Sequence, residues 1–383
     1  MKRLSVSIIL ILSLFINGCW NIVEINDAVI VTGLGVELAD NGQIDVSAQL
    51  AKPVAPQQAV PGQPEVIVQT ASGDSIMTAA RRITLSLPRV PLWSHSDIQV
   101  IGEKLARQDM GLIMDALFRT RHVRHNLTLL IAGNATPGEI FGAASPLVSF
   151  PARGMEKTIS FQEEQLGIYV PITQREFFSD LVSPGVEPVA PRVIISEESG
   201  KKRLLIDGSA VFKGRKMIGL LNEKESRGYS WLRSNINKGG IIIVEPPAES
   251  GGLVTFEVLS FKSKSRPVLQ GDKIKMKLEI EAEITFYEEN AMADLLTAEN
   301  QAKLEKLAAD KIAEETRDCI TKAQELNSDI LGWGRTLARY QPELWNELQA
   351  DWNDLFPSVD SEIQVKTQLK RSVLRKQVFQ FKS

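Results

Sequence analysis

From Lys273 to Phe286 the chain alternates without a break. Ile274, Met276, Leu278, Ile280, Ala282, Ile284 and Phe286 fall on one side, and Lys273, Lys275, Lys277, Glu279, Glu281 and Glu283 on the other. Side chains of a strand point to opposite faces in turn, so this segment predicts a half-buried antiparallel strand with one face on a core and one in water. That apolar face must be covered. The next long element is amphipathic: over 295–326, Leu304, Leu307, Ala308, Ile312, Cys319, Ile320 and Ala323 recur at spacings of three and four. Such a stripe predicts a helix packed on the strand, with Cys319 buried and inert on it. Two shorter helices, near 329–340 and 342–355 and ended by Pro357, and a closing strand over 363–379 complete an α+β unit.

Upstream, apolar and alternating runs at 28–34, 44–50, 98–101 and 126–132 predict strands, and 74–87 and 111–121 predict helices. The stretch 52–64, with four prolines and three glutamines, predicts an exposed loop. Pro184, Gly185, Pro188 and Pro191 give 183–192 the composition of a linker. After it come strands at 204–212 and 217–221, a helix at 223–236, strands at 240–244 and 254–262, and a turn at 246–252. The fold class is therefore α+β, in three distinct mixed domains: 19–195, a small central unit over 196–265, and 266–383 with the long helix.

The N-terminus sets the address. Lys2 and Arg3 precede an apolar run from Leu4 to Ile16, too short to span a bilayer comfortably but of signal-peptide dimensions. Gly18-Cys19 at its end is a lipobox pattern, so cleavage is expected after Gly18, with diacylglycerol on the Cys19 sulfur and an acyl chain on its new amine. Two or more chains give stable anchoring where one is marginal. The mature body would stand on the outer face of the cytoplasmic membrane.

The 383 residues carry 44 basic and 47 acidic side chains, a formal charge of −3, and loss of residues 1–18 takes this to −5. That balance excludes an electrostatic case for nucleic-acid binding. With Cys19 acylated, Cys319 has no disulfide partner, and three histidines leave little for a metal site. Gly33-Leu34-Gly35 lacks a third glycine at Leu38 and leads into a strand, so no dinucleotide loop is expected. Arg119, Arg121, His122, Arg124 and His125 form a cationic cluster that reads as a solvated helix end. Ser94, His95 and Asp97 sit in one local turn and need not converge into a triad. Glu223 and Glu225 open a helix, where acids suit the dipole. These residues predict no catalytic, cofactor or metal site.

Several segments, taken in order, carry a resemblance. Gly18-Cys19-Trp20, Glu24-Ile25-Asn26-Asp27 and Val31-Thr32-Gly33-Leu34-Gly35-Val36 open the series, followed by Trp93-Ser94-His95 and Ser183-Pro184-Gly185-Val186-Glu187-Pro188. Ala210-Val211-Phe212-Lys213, Glu225-Ser226-Arg227-Gly228 and Asp329-Ile330-Leu331-Gly332-Trp333-Gly334 continue it. The sequence resembles the Ger(x)C family, the C-subunit lipoproteins of spore germinant receptors, from residue 18 to about 374. It departs at Asn21, where the family often has Asp, and at 371–374, where a glycine is usual. The resemblance implies three α+β domains and a non-enzymatic subunit acting with integral-membrane A and B subunits in the inner spore membrane, in response to small nutrients. The rival reading is a solute-binding lipoprotein serving a membrane transporter. It would need two similar lobes about a cleft, which three unequal units fit badly.

Overall fold

The computed structural model describes residues 24–52, 65–143, 148–198, 201–233, 239–245, 253–271, 273–289 and 298–370. The expected signal peptide with Gly18 and Cys19, the proline-rich residues 53–64, the expected turn at 246–252 and residues 371–379 of the expected closing strand lie outside them.

Strands β1 (Ala28–Leu38), β2 (Ile44–Ala51), β3 (Val66–Gly73), β4 (Val90–Leu92), β5 (Ile98–Gly102), β6 (Thr128–Ala132), β7 (Val189–Glu198), β8 (Lys201–Lys213) and β9 (Lys216–Leu221) build one mixed sheet. Its order is β3-β2-β1-β5-β6-β7-β8-β9, with β4 beside β1. The parallel pairs β1–β5, β5–β6 and β6–β7 occupy the middle, and antiparallel hairpins flank them. Both faces are covered, as the parallel strands at its centre require. One face takes α1 (Ile76–Arg82), α2 (Glu103–Gln108) and α3 (Met110–Arg119). The other takes α4 (Pro137–Gly142) and α5 (Pro151–Gln165) through Phe141, Ala152, Met155 and Ile159. A Cβ on Gly33 would lie 2.8 Å from the Phe141 ring, and one on Gly35 would lie 2.6 Å from Pro137. These glycines let a helix approach β1 closely.

After α6 (Gln174–Val182) and α7 (Glu223–Arg233), strands β10 (Ile241–Val244), β11 (Val254–Gln270), β12 (Lys273–Glu289) and β13 (Asp360–Leu369) form a second sheet in that order. Helices α8 (Ala298–Glu325), α9 (Trp333–Tyr340), α10 (Pro342–Leu348) and α11 (Trp352–Leu355) connect β12 to its parallel partner β13. The alternating strand and the long helix pack as the sequence predicts: Ile280, Ala282 and Ile284 share a core with Leu304, Ala308 and Ile312. Leu307 differs, being only partly buried at the edge of that core. Cys319 is buried, and burial raises its thiol pKa.

The strands anticipated for a central unit over 196–265 make no sheet of their own. β8 and β9 extend the first sheet; β10 and β11 belong to the second. The segment 183–192 is no exposed linker either, since Pro188 is buried and Pro191 lies inside β7, at a register shift in its pairing with β8. Helix 74–87 shortens to α1, capped by Ser75, and a 3₁₀ turn at Ile83–Ser86. Residues 329–332 precede α9 instead of forming its first turn.

Candidate functional site at the junction of the sheets

Asp329 comes just before α9, and its carboxylate takes the place of that helix's cap. Oδ1 accepts from the Trp333 amide (2.9 Å), and Oδ2 accepts from the Gly334 amide (2.8 Å) and the Trp352 indole N–H (2.9 Å). The residue is buried, and desolvation raises its pKa while the three donors oppose the rise. A buried carboxylate is tolerable when its lone pairs are satisfied in this way. Here it ties α9 to α11 and fixes the turn between them and the first sheet.

Against that turn lies the loop from α6 into β7. Gly185 has φ +71°, and Gly332, at the start of α9, has φ +67°. The Gly185 carbonyl accepts from the Arg335 amide (2.8 Å), and the Asp329 carbonyl accepts from the Glu187 amide (2.9 Å). One strand further in, the Phe212 amide donates to the Pro188 carbonyl and the Ser328 hydroxyl donates to the Phe212 carbonyl (2.5 Å). Glu187 accepts from the Gly214 amide, and burial pushes its pKa up to about 7. A single core runs through this region. It joins Val189, Val211 and Leu221 of the first sheet to Met276 and Leu278 of the second, through Ile330, Trp333, Trp345, Trp352 and Phe356.

Two further ties flank it. Where α7 crosses α8, a Cβ on Gly228 would fall 2.0 Å from the Glu315 carbonyl oxygen, so only glycine permits the approach. Beside it the Glu315 carboxylate accepts from the Trp231 indole (2.9 Å) and faces the buried Arg227 at 3.3 Å. On the opposite flank Asp180 of α6 is shared by Arg233 of α7 and Arg335 of α9, each at 2.7 Å. This second tie lies in a cleft of about 780 Å³ between α6, α7, α9 and the middle of β11.

Segments 183–188, 210–213, 225–228 and 329–334, up to about 150 residues apart in the chain, thus meet at one junction. Asp180, Arg233 and Arg335 carry no recognisable motif. The capping box of Thr173 with Glu176 places α6, but only the tertiary fold brings Asp180 to two arginines. The other sequence candidates stay apart. Ser94 Oγ lies 3.3 Å from His95 Nδ1, Asp97 pairs with Arg153, and Ser96 donates to the Trp93 carbonyl, so no relay forms. Arg119 pairs with Asp115, and His125 stacks on Phe118 at 4.2 Å. Glu225 accepts from the Asn222 amide at the start of α7, a capping role. Among the described residues no helix is long and apolar enough to cross a membrane.

A nine-stranded and a four-stranded sheet welded by such a junction define an α+β body. The crystal structure of the GerBC protein has a similar fold, at a TM-score of 0.55 and 18% identity, covering 88% of this chain and 97% of that one. Residues 21–195 match the spore germination protein N-terminal domain, and 207–373 match the spore germination B3/GerAC-like C-terminal domain. The chain belongs to the Ger(x)C family of germinant receptor C subunits. Spore germination protein KC of Bacillus subtilis (strain 168) is 23% identical, over 98% of this chain and 97% of that protein. Spore germination protein B3 of the same organism is 24% identical, over 92% and 94%.

Proposed function

We propose that this chain is a non-enzymatic, lipid-anchored subunit of a spore germinant receptor, acting beside integral-membrane A- and B-type subunits in nutrient-triggered germination. The observation that carries this reading is the collinear match to spore germination proteins over nearly the full length of both chains. The junction supports a role in binding and transmission rather than catalysis. Its buried carboxylates are each engaged: Asp329 by three donors, Asp180 by two arginines, Glu315 by an indole and an arginine. Groups so committed hold a shape and leave no free base or nucleophile at that point.

Acylation at Cys19, with cleavage after Gly18, would place the body on the outer face of the cytoplasmic membrane, which is the inner membrane in a spore. Mass spectrometry of the mature chain should find diacylglycerol on an N-terminal Cys19. Spores carrying Cys19→Ala should hold a folded body that partitions into the aqueous phase, and should lose most of the nutrient response that depends on this receptor. An unmodified Cys19 removes the anchor from this reading. A normal nutrient response in spores lacking the chain removes the receptor role.

A further inference from the structure

Among the described residues, the cleft beside Asp180 is lined by more cationic than anionic side chains. One wall is α6, the other α9, and the base is the end of α7 with residues 261–265 of β11. Three arginines reach it: Arg233, Arg335 and, one turn beyond Arg335 on α9, Arg339. Two carboxylates face them. Glu176 is spent on its own helix, where it accepts from the amide and hydroxyl of Thr173. Asp180 is divided between Arg233 and Arg335. One carboxylate thus serves two guanidinium groups, and the Arg339 side chain makes no ion pair or hydrogen bond with another described residue. Lys262 and Lys264 also border the cleft, through the β11 segment that forms its base. They sit opposite Glu281 and Glu279 in the β11–β12 register, on the face away from the core, whereas Ser263 and Ser265 sit opposite Ile280 and Leu278 on the inward face.

The volume, about 780 Å³, falls within the roughly 300–1,000 Å³ of small-molecule sites, which favour the seams between packed bodies. Guanidinium groups spaced by one helical turn, with serine hydroxyls across from them, match the paired oxygens of carboxylate or phosphate. We propose that this cleft binds a small molecule carrying multivalent oxyanion groups, held by Arg335 and Arg339 and bridging α9 to β11. Such a ligand would clamp the two sheets at the flank of their junction. This site is independent of the receptor-subunit reading: it stands on the cleft alone, and its failure would leave the family and the membrane partnership untouched.

The test is calorimetric titration of the full chain in mild detergent with citrate and, separately, inorganic pyrophosphate, at ionic strength matched with chloride. Saturable binding with a dissociation constant at or below about 1 mM is expected for at least one probe, and the stronger one distinguishes carboxylate from phosphate chemistry. Arg339→Gln lies at the exposed mouth and adds no carboxylate to compete with Asp180 for Arg335, so it should weaken binding about tenfold while the thermal melt without ligand stays unchanged. Absence of saturable binding by both probes up to about 10 mM overturns the proposal, as does an affinity unmoved by Arg339→Gln.

Discussion

Gly185 and Gly334 meet backbone to backbone: a Cβ built on Gly185 would fall 2.5 Å from the carbonyl carbon of Gly334, and one on Gly334 would fall 2.7 Å from the Gly185 Cα. Neither chain segment can retreat, because the Gly185 carbonyl is bonded to the Arg335 amide and the Gly334 amide to Asp329. At Gly185 a side chain also meets a left-handed φ of +71°. Gly185→Ala should therefore cost about 3 kcal/mol or more, combining the conformational penalty with displacement of α9. Gly214→Ala, at φ +52° in open space, should cost only about 1 kcal/mol. Urea melts of the two variants provide the comparison, and equal midpoints would mean that the loop and α9 are not in contact.

Asp329→Ala strips the acceptor from three buried donors at once, which should cost about 3–5 kcal/mol. Asp329→Asn keeps one oxygen and removes the charge whose burial is unfavourable, so its loss should be about half as large. The near-ultraviolet circular dichroism of Trp333 and Trp352 should fall more steeply in the alanine variant. Two superimposable denaturation curves would show that the carboxylate is not the cap.

Much of the second sheet was legible in the sequence because its elements are one-sided. Fourteen alternating residues at 273–286 and the stripe on 295–326 each declare a face, and the faces cover one another. The helices α4, α5 and α6 left weaker traces. α4 has six residues, and the burial of Phe141 and Phe177 depends on the sheet beneath them. Residues 183–192 misread as a linker for a physical reason: Gly185 and the prolines that suit a free chain also suit a tight approach and a shifted strand register. No local pattern could assign β8 to one sheet and β11 to the other, since both alternate alike. The junction was legible piecewise, as separate motifs. Their convergence was not, because Asp180 finds Arg335 only after 155 residues have folded.

Glu187 gives the junction a pH dependence of definite sign. Its folded pKa, raised to about 7 by burial and by nearby Asp329, exceeds the ordinary value of 4.5. A raised carboxyl pKa means that the fold prefers the protonated form. Its contribution is full below about pH 4.5 and is lost as pH rises through 7. Allowing for solvent at this half-buried site, the loss between pH 5 and 8 should be about 1–2 kcal/mol. Glu187→Gln keeps an acceptor for the Gly214 amide and should flatten that part of the profile, becoming more stable than the parent at pH 8. Parallel profiles for the two proteins would place the titration elsewhere.

The core between β12 and α8 makes a graded prediction along one helix. Leu304 is 1% exposed, so Leu304→Ala should cost about 2–5 kcal/mol. Leu307→Ala, at the partly buried edge, should cost about 1–2 kcal/mol, and exposed Lys306→Ala under about 0.5 kcal/mol. Guanidinium denaturation should rank them in that order. If Leu307→Ala matched or exceeded Leu304→Ala, the helix would be rotated from the packing described.

A receptor subunit must be found with its membrane partners in the spore. The direct measurement is a pull-down of the tagged full chain from spore membranes after mild crosslinking, read by mass spectrometry. The account predicts that integral-membrane A- and B-type germinant receptor subunits are recovered with the parent chain. It also predicts that they are strongly reduced with Asp329→Ala, when compared at equal amounts of captured chain. Recovery of a transporter permease in their place, or of neither subunit type from intact spores, would contradict it.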